Sequence, residues 1–260
     1  MEKQQGHIHP LSRTMDEIVR ILAELGFEVA LGPEIETEHY NFDALNVPKD
    51  HPARDVQDTF WLKPSSLDGS PDRLKGGLGM KGVEQLLLRT HTSPVQVRYM
   101  EKHKPPYAIV VPGKVYRYEA TDATHETQFH QVEGLVVGEN ITLAQLKWTL
   151  QTFFKKLLGN DVIMRLRPSF FPFVEPGVEV DISCFLCHGK GCGVCKHTGW
   201  IEVMGAGMVH PNVLLSGGVD PRKYTGFAFG MGVDRLVMIK YGIEDVRLLY
   251  AGDLRLVNQF

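Results

Sequence analysis

Residues Val115–Val137, VYRYEATDATHETQFHQVEGLVV, form the segment around which the other predicted elements of this chain are arranged. The two ends of the segment alternate as strands do, and polar turn-forming residues separate them. The segment therefore predicts an antiparallel β-hairpin. Because successive strand side chains point to opposite faces, Arg117 shares a face with Glu119, and Gln131 shares a face with Glu133.

If these two faces coincide, a guanidinium, an amide and two carboxylates stand together. Such a surface suits a ligand with a negative end, which arginine grips through paired hydrogen bonds, and a positive end, which carboxylates accept. The alternative is an ordinary hairpin with a solvated polar face and with Tyr116, Tyr118 and Val132 directed inward. The hairpin by itself favours this second interpretation.

The composition is that of a soluble globular protein, with 260 residues, 43% hydrophobic and 23% charged. No apolar run approaches a membrane span, and the N-terminal sequence MEKQQGHIHP lacks the apolar core of a signal peptide. We therefore expect a cytoplasmic protein without membrane contact. The net charge of -3 argues against a general nucleic-acid binder, so any RNA contact would be local or shared with a partner.

Upstream of the hairpin, periodicity predicts short elements and one surface excursion. The predicted elements are a helix at Leu11–Leu25 that ends at Gly26, a strand at Phe27–Leu31, a helix at Glu36–Leu45, strands at Asp58–Leu62 and Glu84–Arg89, and a turn-rich excursion at 63–82.

The sequence RTHTSP at 89–94 predicts a strand that runs into a helix, with Pro94 at the first helical position and Ser93 as the cap. A strand end that meets a helix N-terminus also favours anionic ligands. The residues alone support two interpretations equally: Ser93 only caps the helix, or His91 and Ser93 bind a ligand.

Downstream of the hairpin, a helix is predicted at Leu143–Leu158 and a strand at Val162–Arg167. The following segment, PSFFPFVEP at 168–176, is rigid and extended, so Phe171 and Phe173 point the same way. Either the core or an aromatic substrate could cover these rings.

Near the C-terminus, TGFAFGMGVDRLVM at 225–238 predicts a strand that turns into a helix through Gly230 and Gly232. Arg235 would project from the first turn beside this opening. The third glycine and the βαβ setting of a dinucleotide-binding fold are missing, which excludes that interpretation.

Together these segments resemble a known family. The helix and strand before Gly32-Pro33, the Arg-x-Glu hairpin at Arg117 and the glycine-rich segment ending at Arg235 resemble the three signature motifs of class II aminoacyl-tRNA synthetases, in order. More specifically, RTHTSPVQVRYM, FHQVEG, RPSFFPFVEPG, GAGMVHPNV and TGFAFGMGVDR are similar to the α subunits of bacterial phenylalanyl-tRNA synthetases.

The resemblance implies an α+β catalytic domain over residues 1–260, with an antiparallel β-sheet flanked by helices. It implies ATP as a substrate, with Arg117 on the α-phosphate and Arg235 on the γ-phosphate as the catalytic residues. Phe129 would stack on adenine, Glu119 would accept from its amino group, and His125 would lie in the loop over the nucleotide. Mg²⁺ would be bound with help from Glu175.

The resemblance also implies a phenylalanine site. The residues that would hold the ammonium and carboxylate ends of the amino acid are His91, Ser93, Gln131 and Glu133. Phe171 and Phe173 would pack against the substrate ring, Val174 and Ala228 would shape the pocket, and Trp61 would lie nearby.

Two features depart from what the resemblance implies. The family begins with a long helical arm that contacts tRNA, so we expect a truncated or reduced form, because this sequence starts almost at the catalytic domain. The implied partners are tRNA(Phe) and a β subunit in an α2β2 assembly, with a homodimer as the alternative if the chain is isolated.

The second departure is SCFLCHGKGCGVCKHTGW at 183–200, which contains all four cysteines of the chain: Cys184, Cys187, Cys192 and Cys195. Two C-x2-C pairs supply four thiolates in two tight turns, which predicts a structural Zn²⁺ site in an insert at 183–199. Other interpretations are an iron–sulfur cluster, replacement of one cysteine by His188 or His197, and four free buried thiols.

Two other functions compete with tRNA charging. An adenylate-forming paralogue would keep the site and use another acceptor, and tRNA-dependent activity separates it from a ligase. A non-catalytic zinc-bearing binding module would keep only the fold. The presence of Arg117, Arg235, Gln131 and Glu133 argues against such a module, which has no need of all four.

Overall fold

The computed structural model describes residues 6–55, 58–62 and 85–260. In chain order the helices and strands are α1 (Pro10–Glu24), β1 (Glu28–Val29), β2 (Ile35–Thr37), α2 (Glu38–Asn41), β3 (Leu86–Leu88), α3 (Pro94–Met100), β4 (Tyr107–Tyr116), β5 (Gln128–Gly138), α4 (Leu143–Leu158), β6 (Met164–Phe171), β7 (Val174–Ser183), β8 (Trp200–Val209), α5 (Pro211–Ser216), β9 (Thr225–Gly232), α6 (Val233–Tyr241) and α7 (Leu254–Val257).

The main sheet has seven strands in the order β1-β4-β5-β9-β8-β7-β6. Every neighbouring pair is antiparallel except β1 with β4. Strands β2 and β3 form a separate antiparallel pair. This arrangement confirms the predicted α+β fold with an antiparallel sheet and flanking helices.

Each face of the sheet carries its own hydrophobic core, because alternate strand residues point to opposite sides. On β4, Val110 packs with α1, α4 and α6, whereas Ile109 and Val111 pack with α3 and α5. On β9, Phe229 belongs to the first core and Ala228 to the second. The second face carries the cavity described below.

The helix α4 agrees with its predicted bounds because both of its ends are coded locally. Thr142 and Gln145 form a reciprocal capping box at the start. Gly159 follows the last residue with a φ of 111°, a conformation that glycine adopts without a steric penalty. The stripe of Leu146, Leu150 and Phe153 between these ends is fully buried.

Two predicted elements are wrong. Residues 36–45 do not form one helix, because Ile35–Thr37 pairs with β3 and the Thr37 hydroxyl then caps α2. The predicted strand at Asp58–Leu62 is reduced to a single bridge between Trp61 and Leu87. The predicted excursion at 63–82 lies outside the described residues.

Other bounds differ more modestly. The strand predicted at Phe27–Leu31 is only Glu28–Val29, and β6 runs on to Phe171 through the segment predicted to be a rigid link. Within the described residues, no helix is both long enough and apolar enough to cross a membrane.

Candidate active site

A cavity of about 530 Å³ lies on the second face of the sheet, within the range of small-ligand pockets. It brings together most of the residues expected to form the site. The predicted site residues that line it are His91, Ser93, Arg117, Phe129, Gln131, Glu133, Phe171, Phe173, Val174, Ala228 and Arg235.

The strands β4 and β5 form the predicted hairpin, and its register explains why the polar residues meet. Val115 lies opposite Phe129, and Gly113 lies opposite Gln131, so Arg117 continues the same face just beyond β4. The Arg117 backbone N–H donates to Thr127 O at 2.9 Å. The hairpin faces therefore coincide as the ligand-binding interpretation requires.

The Arg117 side chain is held from two directions. Its Nε donates to Thr90 O at 3.4 Å, and its guanidinium carbon lies 5.1 Å from the centre of the Phe129 ring. The side chain is 42% exposed, and Glu119 Oε1 is 4.0 Å from its Nη1. The guanidinium therefore keeps donors free for an anionic ligand group.

Glu133 is the buried acid of the cavity, at 4% exposure. Its carboxylate accepts from the Ser93 hydroxyl at 2.5 Å, the Gln96 amide at 2.8 Å and the Thr92 N–H at 3.0 Å. Burial raises the pKa of Glu133, and these donors oppose that shift. A ligand ammonium would offer the buried carboxylate the opposite charge that it lacks.

Gly230 on β9 lies opposite Glu133. A Cβ at this position would lie 2.9 Å from Glu133 Cγ, so only glycine leaves room for the acid. The glycine at position 230 therefore makes room for the Glu133 side chain on the neighbouring strand.

The structure corrects the role predicted for Ser93. Ser93 precedes α3, but its side chain makes no capping hydrogen bond. Its hydroxyl donates to Glu133 instead. A buried carboxylate without donors is more costly than an uncapped N-terminal turn, so the tertiary contact prevails over the local one.

Two buried polar atoms in the cavity have no hydrogen-bond partner among the described residues: His91 Nδ1 and Gln131 Oε1. Burial and the nearby Arg117 charge lower the pKa of His91 to about 3, so the ring is neutral at physiological pH. Because unpaired buried polar groups are costly, both atoms mark positions where a ligand would complete the hydrogen bonding.

The aromatic part of the cavity is formed by Phe171 and Phe173. Their ring centres are 6.0 Å apart with planes 17° from parallel, and Phe173 lies 6.4 Å from the His91 ring. Both phenylalanines line the cavity, as does Ala228 on the sheet floor. A flat apolar group fits against such a wall.

Arg235 projects from the first turn of α6 and lines the cavity. The preceding residue, Asp234, fixes this turn: it accepts from the His130 N–H at 2.7 Å and from the Tyr250 hydroxyl. Burial raises the pKa of Asp234 to about 6. The sequence pattern did not indicate that Asp234 ties α6 to β5.

Four predicted site residues lie outside the cavity. Trp61 packs 6.2 Å from Phe42, and Glu119 lines an adjoining cavity of about 360 Å³ together with Arg117. His125 is exposed and pairs with Asp122 at 3.0 Å. Glu175 is exposed at the start of β7.

Three polar residues that line the cavity were not predicted from the sequence: Gln96, Glu179 and Glu202. Arg167 pairs with Glu179 at 2.8 Å and with Glu202 at 3.3 Å. Only Gln96 had an available signal, because it lies on α3 about one helical turn after Ser93, the residue that precedes the helix.

The four cysteines form a compact cluster between β7 and β8. Their sulfurs all lie within 4.8 Å of one another, and two of the pairs, Cys184–Cys192 and Cys187–Cys195, are 3.8 Å apart. Four Zn–S bonds of about 2.3 Å in a tetrahedron place the sulfurs about 3.8 Å apart. Among the described residues, neither His188 nor His197 belongs to this cluster of closely spaced ligand atoms.

Comparison with known proteins agrees with this geometry. A family model described as tRNA synthetases class II core domain (F) matches residues 1–260. A solved pyrrolysyl-tRNA synthetase from Desulfitobacterium hafniense has the same fold, with a TM-score of 0.61 at 19% identity over 91% of this chain and 69% of that one. The fold and the cavity thus define a class II aminoacyl-tRNA synthetase core domain.

Curated relatives narrow this class. The phenylalanine--tRNA ligase alpha subunit of Caldanaerobacter subterraneus subsp. tengcongensis is 56% identical over 98% of this chain and 69% of its own length. The subunit of the same name from Myxococcus xanthus is 55% identical over 98% of this chain and 70% of its length. The chain belongs to the family of phenylalanine--tRNA ligase alpha subunits.

Proposed function

We propose that this chain is the catalytic subunit of a phenylalanine--tRNA ligase, which activates phenylalanine with ATP and transfers it to tRNA(Phe). The observation that carries the proposal is a single cavity that contains two arginines, a buried carboxylate and a pair of phenylalanine rings. The experiment is exchange of labelled pyrophosphate into ATP with each of the amino acids, followed by tRNA charging. Phenylalanine should support both reactions, and exchange without charging would indicate a different acceptor.

ATP would lie across the hairpin side of the cavity. Arg117 would bind the α-phosphate and Arg235 the γ-phosphate, and the side chain of Phe129 would stack on adenine. Glu119 would accept from the adenine amino group, and His125 would lie in the loop over the nucleotide. The position of Arg117 above Phe129, at 5.1 Å, supports a phosphate contact next to a stacked base.

Phenylalanine would occupy the remainder of the cavity. The ammonium and carboxylate ends would be held by four residues that the structure brings together: His91, Ser93, Gln131 and Glu133. The ring would pack against Phe171 and Phe173, with Val174 and Ala228 shaping the pocket and Trp61 nearby.

In the first reaction the amino acid carboxylate attacks the α-phosphorus of ATP, and pyrophosphate leaves. The nucleophile is already ionised, so no protein group has to remove a proton. Rate acceleration then depends on alignment of the two substrates and on fixed charge at the phosphoryl oxygens. Arg117 and Arg235 supply that charge, and Glu133 fixes the amino acid through its ammonium.

The resemblance assigns Mg²⁺ to Glu175. Mg²⁺ binds through one or two carboxylates together with substrate phosphates and keeps several waters. Glu175 is exposed and can supply such a carboxylate from outside the cavity lining. When bound, the ion would neutralise charge on the phosphate oxygens.

We place the enzyme in the cytoplasm, because aminoacylated tRNA is used there for protein synthesis. Its proposed partners are tRNA(Phe) and a β subunit in an α2β2 assembly. The names of the relatives, each an alpha subunit, support a partner chain.

Ala228 provides a test of the pocket. Replacement by glycine removes a methyl group from the floor of the cavity and should admit a para substituent on the ring. We expect Ala228→Gly to raise pyrophosphate exchange with para-chlorophenylalanine by about 10-fold or more over the parent, within the effect of one methylene in an apolar pocket.

The matched control for this test is Ala251→Gly, at an exposed position away from the cavity. This variant should leave the preference between the two amino acids unchanged. If Ala228→Gly uses para-chlorophenylalanine no better than the parent, Ala228 does not contact the ring.

We also propose that the four cysteines bind a structural Zn²⁺. A site with four thiolates has no open coordination position, which suits a structural role and not a catalytic one. Backbone N–H groups of Gly191 and Cys192 approach the sulfurs of Cys187 and Cys195 at 3.2 and 3.1 Å, as expected for donors to thiolates.

Metal analysis should find about one zinc per chain, and its removal by a chelator should lower the melting temperature by about 5 °C or more. Cys187→Ser should have the same effect. His188→Asn and His197→Asn serve as controls, because asparagine tolerates the positive φ of both residues, and both variants should retain the metal. Iron in place of zinc, or full stability after metal removal, would contradict the proposal.

A further inference from the structure

The metal-binding insert has a distinctive charge. We call residues 184–199, between β7 and β8, the cysteine lobe. No Asp or Glu occurs between Asp181 and Glu202, whereas the lobe contains Lys190, Lys196 and two histidines. The chain as a whole carries a net charge of -3, so this lobe is a local basic surface on an acidic protein.

The basic side chains of the lobe face solvent. Lys190 and Lys196 are exposed, as are His188 and His197. In the part of the chain that the structure describes, neither lysine forms an ion pair, although Lys49, Lys156, Lys223 and Lys240 do. The two ammonium groups are therefore available to an outside anion.

The two C-x2-C pairs of the lobe have the same kinds of residue beside them. The residue after each C-x2-C pair, His188 or Lys196, has a φ of 50°. The residue before the second cysteine of each pair is apolar and exposed, at 48% for Leu186 and 53% for Val194. Each half thus presents one apolar and one basic side chain from a turn that the sulfur cluster would hold rigid.

The lobe lies close to the cavity. Strand β8 leaves it at Trp200, and Glu202 on the same strand lines the cavity. Two residues of strand span about 7 Å. The Arg165 guanidinium lies 4.2 Å above the Trp200 ring and fixes the base of the lobe on the sheet.

We propose that the cysteine lobe binds tRNA next to its 3′ end, with Lys190 and Lys196 on backbone phosphates and the apolar tips against unpaired bases. The proposal rests on the ligase function, because charging requires the 3′ end to enter the cavity. Basic surfaces with apolar or stacking side chains are the usual means of binding single-stranded RNA, and zinc knuckles are among its modules.

The test is binding of fluorescently labelled tRNA(Phe) to the ligase, assembled with its β subunit, by anisotropy over a range of salt concentrations. We expect Lys190→Glu/Lys196→Glu to raise the dissociation constant about 10-fold or more. The slope of log affinity against log salt should fall by about 1.4 to 1.8, because two phosphate contacts are lost. Pyrophosphate exchange with phenylalanine should be unchanged.

The matched control is Lys147→Glu/Lys155→Glu, which makes the same charge change on exposed positions of α4, outside the cysteine lobe. A Lys190→Gln/Lys196→Gln variant with measured zinc content tests the proposal without reversed charge, and it should show a weaker effect in the same direction.

Parental tRNA affinity in the lobe variants would overturn the proposal, as would an equal loss in the α4 control. Loss of β-subunit assembly in the lobe variants alone would assign the surface to a protein interface instead. Failure of the ligase function is a separate outcome: exchange with phenylalanine would then be missing from the parent, whereas tRNA binding could still be compared.

Discussion

Arg117→Ala is expected to lower phenylalanine-dependent pyrophosphate exchange by about 100- to 1000-fold, the effect of losing one preorganised charge donor at a developing charge. Arg117 is already held in place before substrate arrives, by the Thr127 and Thr90 carbonyls and above Phe129. Its removal therefore takes away charge without any compensating group on the hairpin. The measurement is the exchange rate at saturating phenylalanine and ATP.

The control for this variant is Arg222→Ala. Arg222 is an exposed arginine that pairs only with nearby Asp220, at 3.0 Å, in the part of the chain that the structure describes. Its loss should leave exchange within about 2-fold of the parent, as for most surface substitutions. Near-normal exchange by Arg117→Ala would show that Arg117 takes no part in the reaction.

Glu133→Gln is expected to raise the KM for phenylalanine by about 10- to 100-fold, the effect of losing a hydrogen bond to a charged group. Glutamine keeps the shape of the side chain but removes the charge that would face the substrate ammonium. The donors Ser93 and Gln96 can reorient, since a hydroxyl also accepts and an amide can turn over. Exchange at varied phenylalanine concentrations measures the effect.

Thermal melting distinguishes weaker phenylalanine binding by Glu133→Gln from a loss of folded protein. Burial raises the pKa of Glu133 in the folded protein, so the folded state binds a proton more readily than the unfolded state does. The contribution of Glu133 to the free energy of unfolding is therefore greatest at low pH and falls as pH rises. At neutral pH its ionised carboxylate destabilises the folded protein. Glu133→Gln should melt no lower than the parent at pH 7 to 8, and an unchanged KM would exclude Glu133 from ammonium binding.

Sequence patterns predicted the elements that are determined by residues close together in the chain. The hairpin follows from an alternation of period two, and α4 from a capping box, an apolar stripe and a terminal glycine. Each of the five segments named for the resemblance also contributes residues to the lining of one cavity. The resemblance, and not a local pattern, supplied most of the residues proposed for the site.

Contacts between distant segments explain what the sequence did not indicate. Ser93 looked like a helix cap, but a carboxylate 40 residues away takes its hydroxyl. Asp234, for which the sequence suggested no role, accepts a hydrogen bond from the His130 N–H, 104 residues away. Residues 35–37 form a strand only because β3 lies beside them. None of these partners can be read from a local pattern.

The central claim is that one cavity holds phenylalanine and the phosphates of ATP together. The most direct test is a crystal structure with a non-hydrolysable phenylalanyl-adenylate analogue. We predict that its benzyl ring lies against Phe171 and Phe173, its ammonium within hydrogen-bond distance of Glu133 or its donors, and its phosphate mimic on Arg117. An analogue bound with its ring outside this aromatic pair, or with its phosphate mimic away from Arg117, would contradict the account.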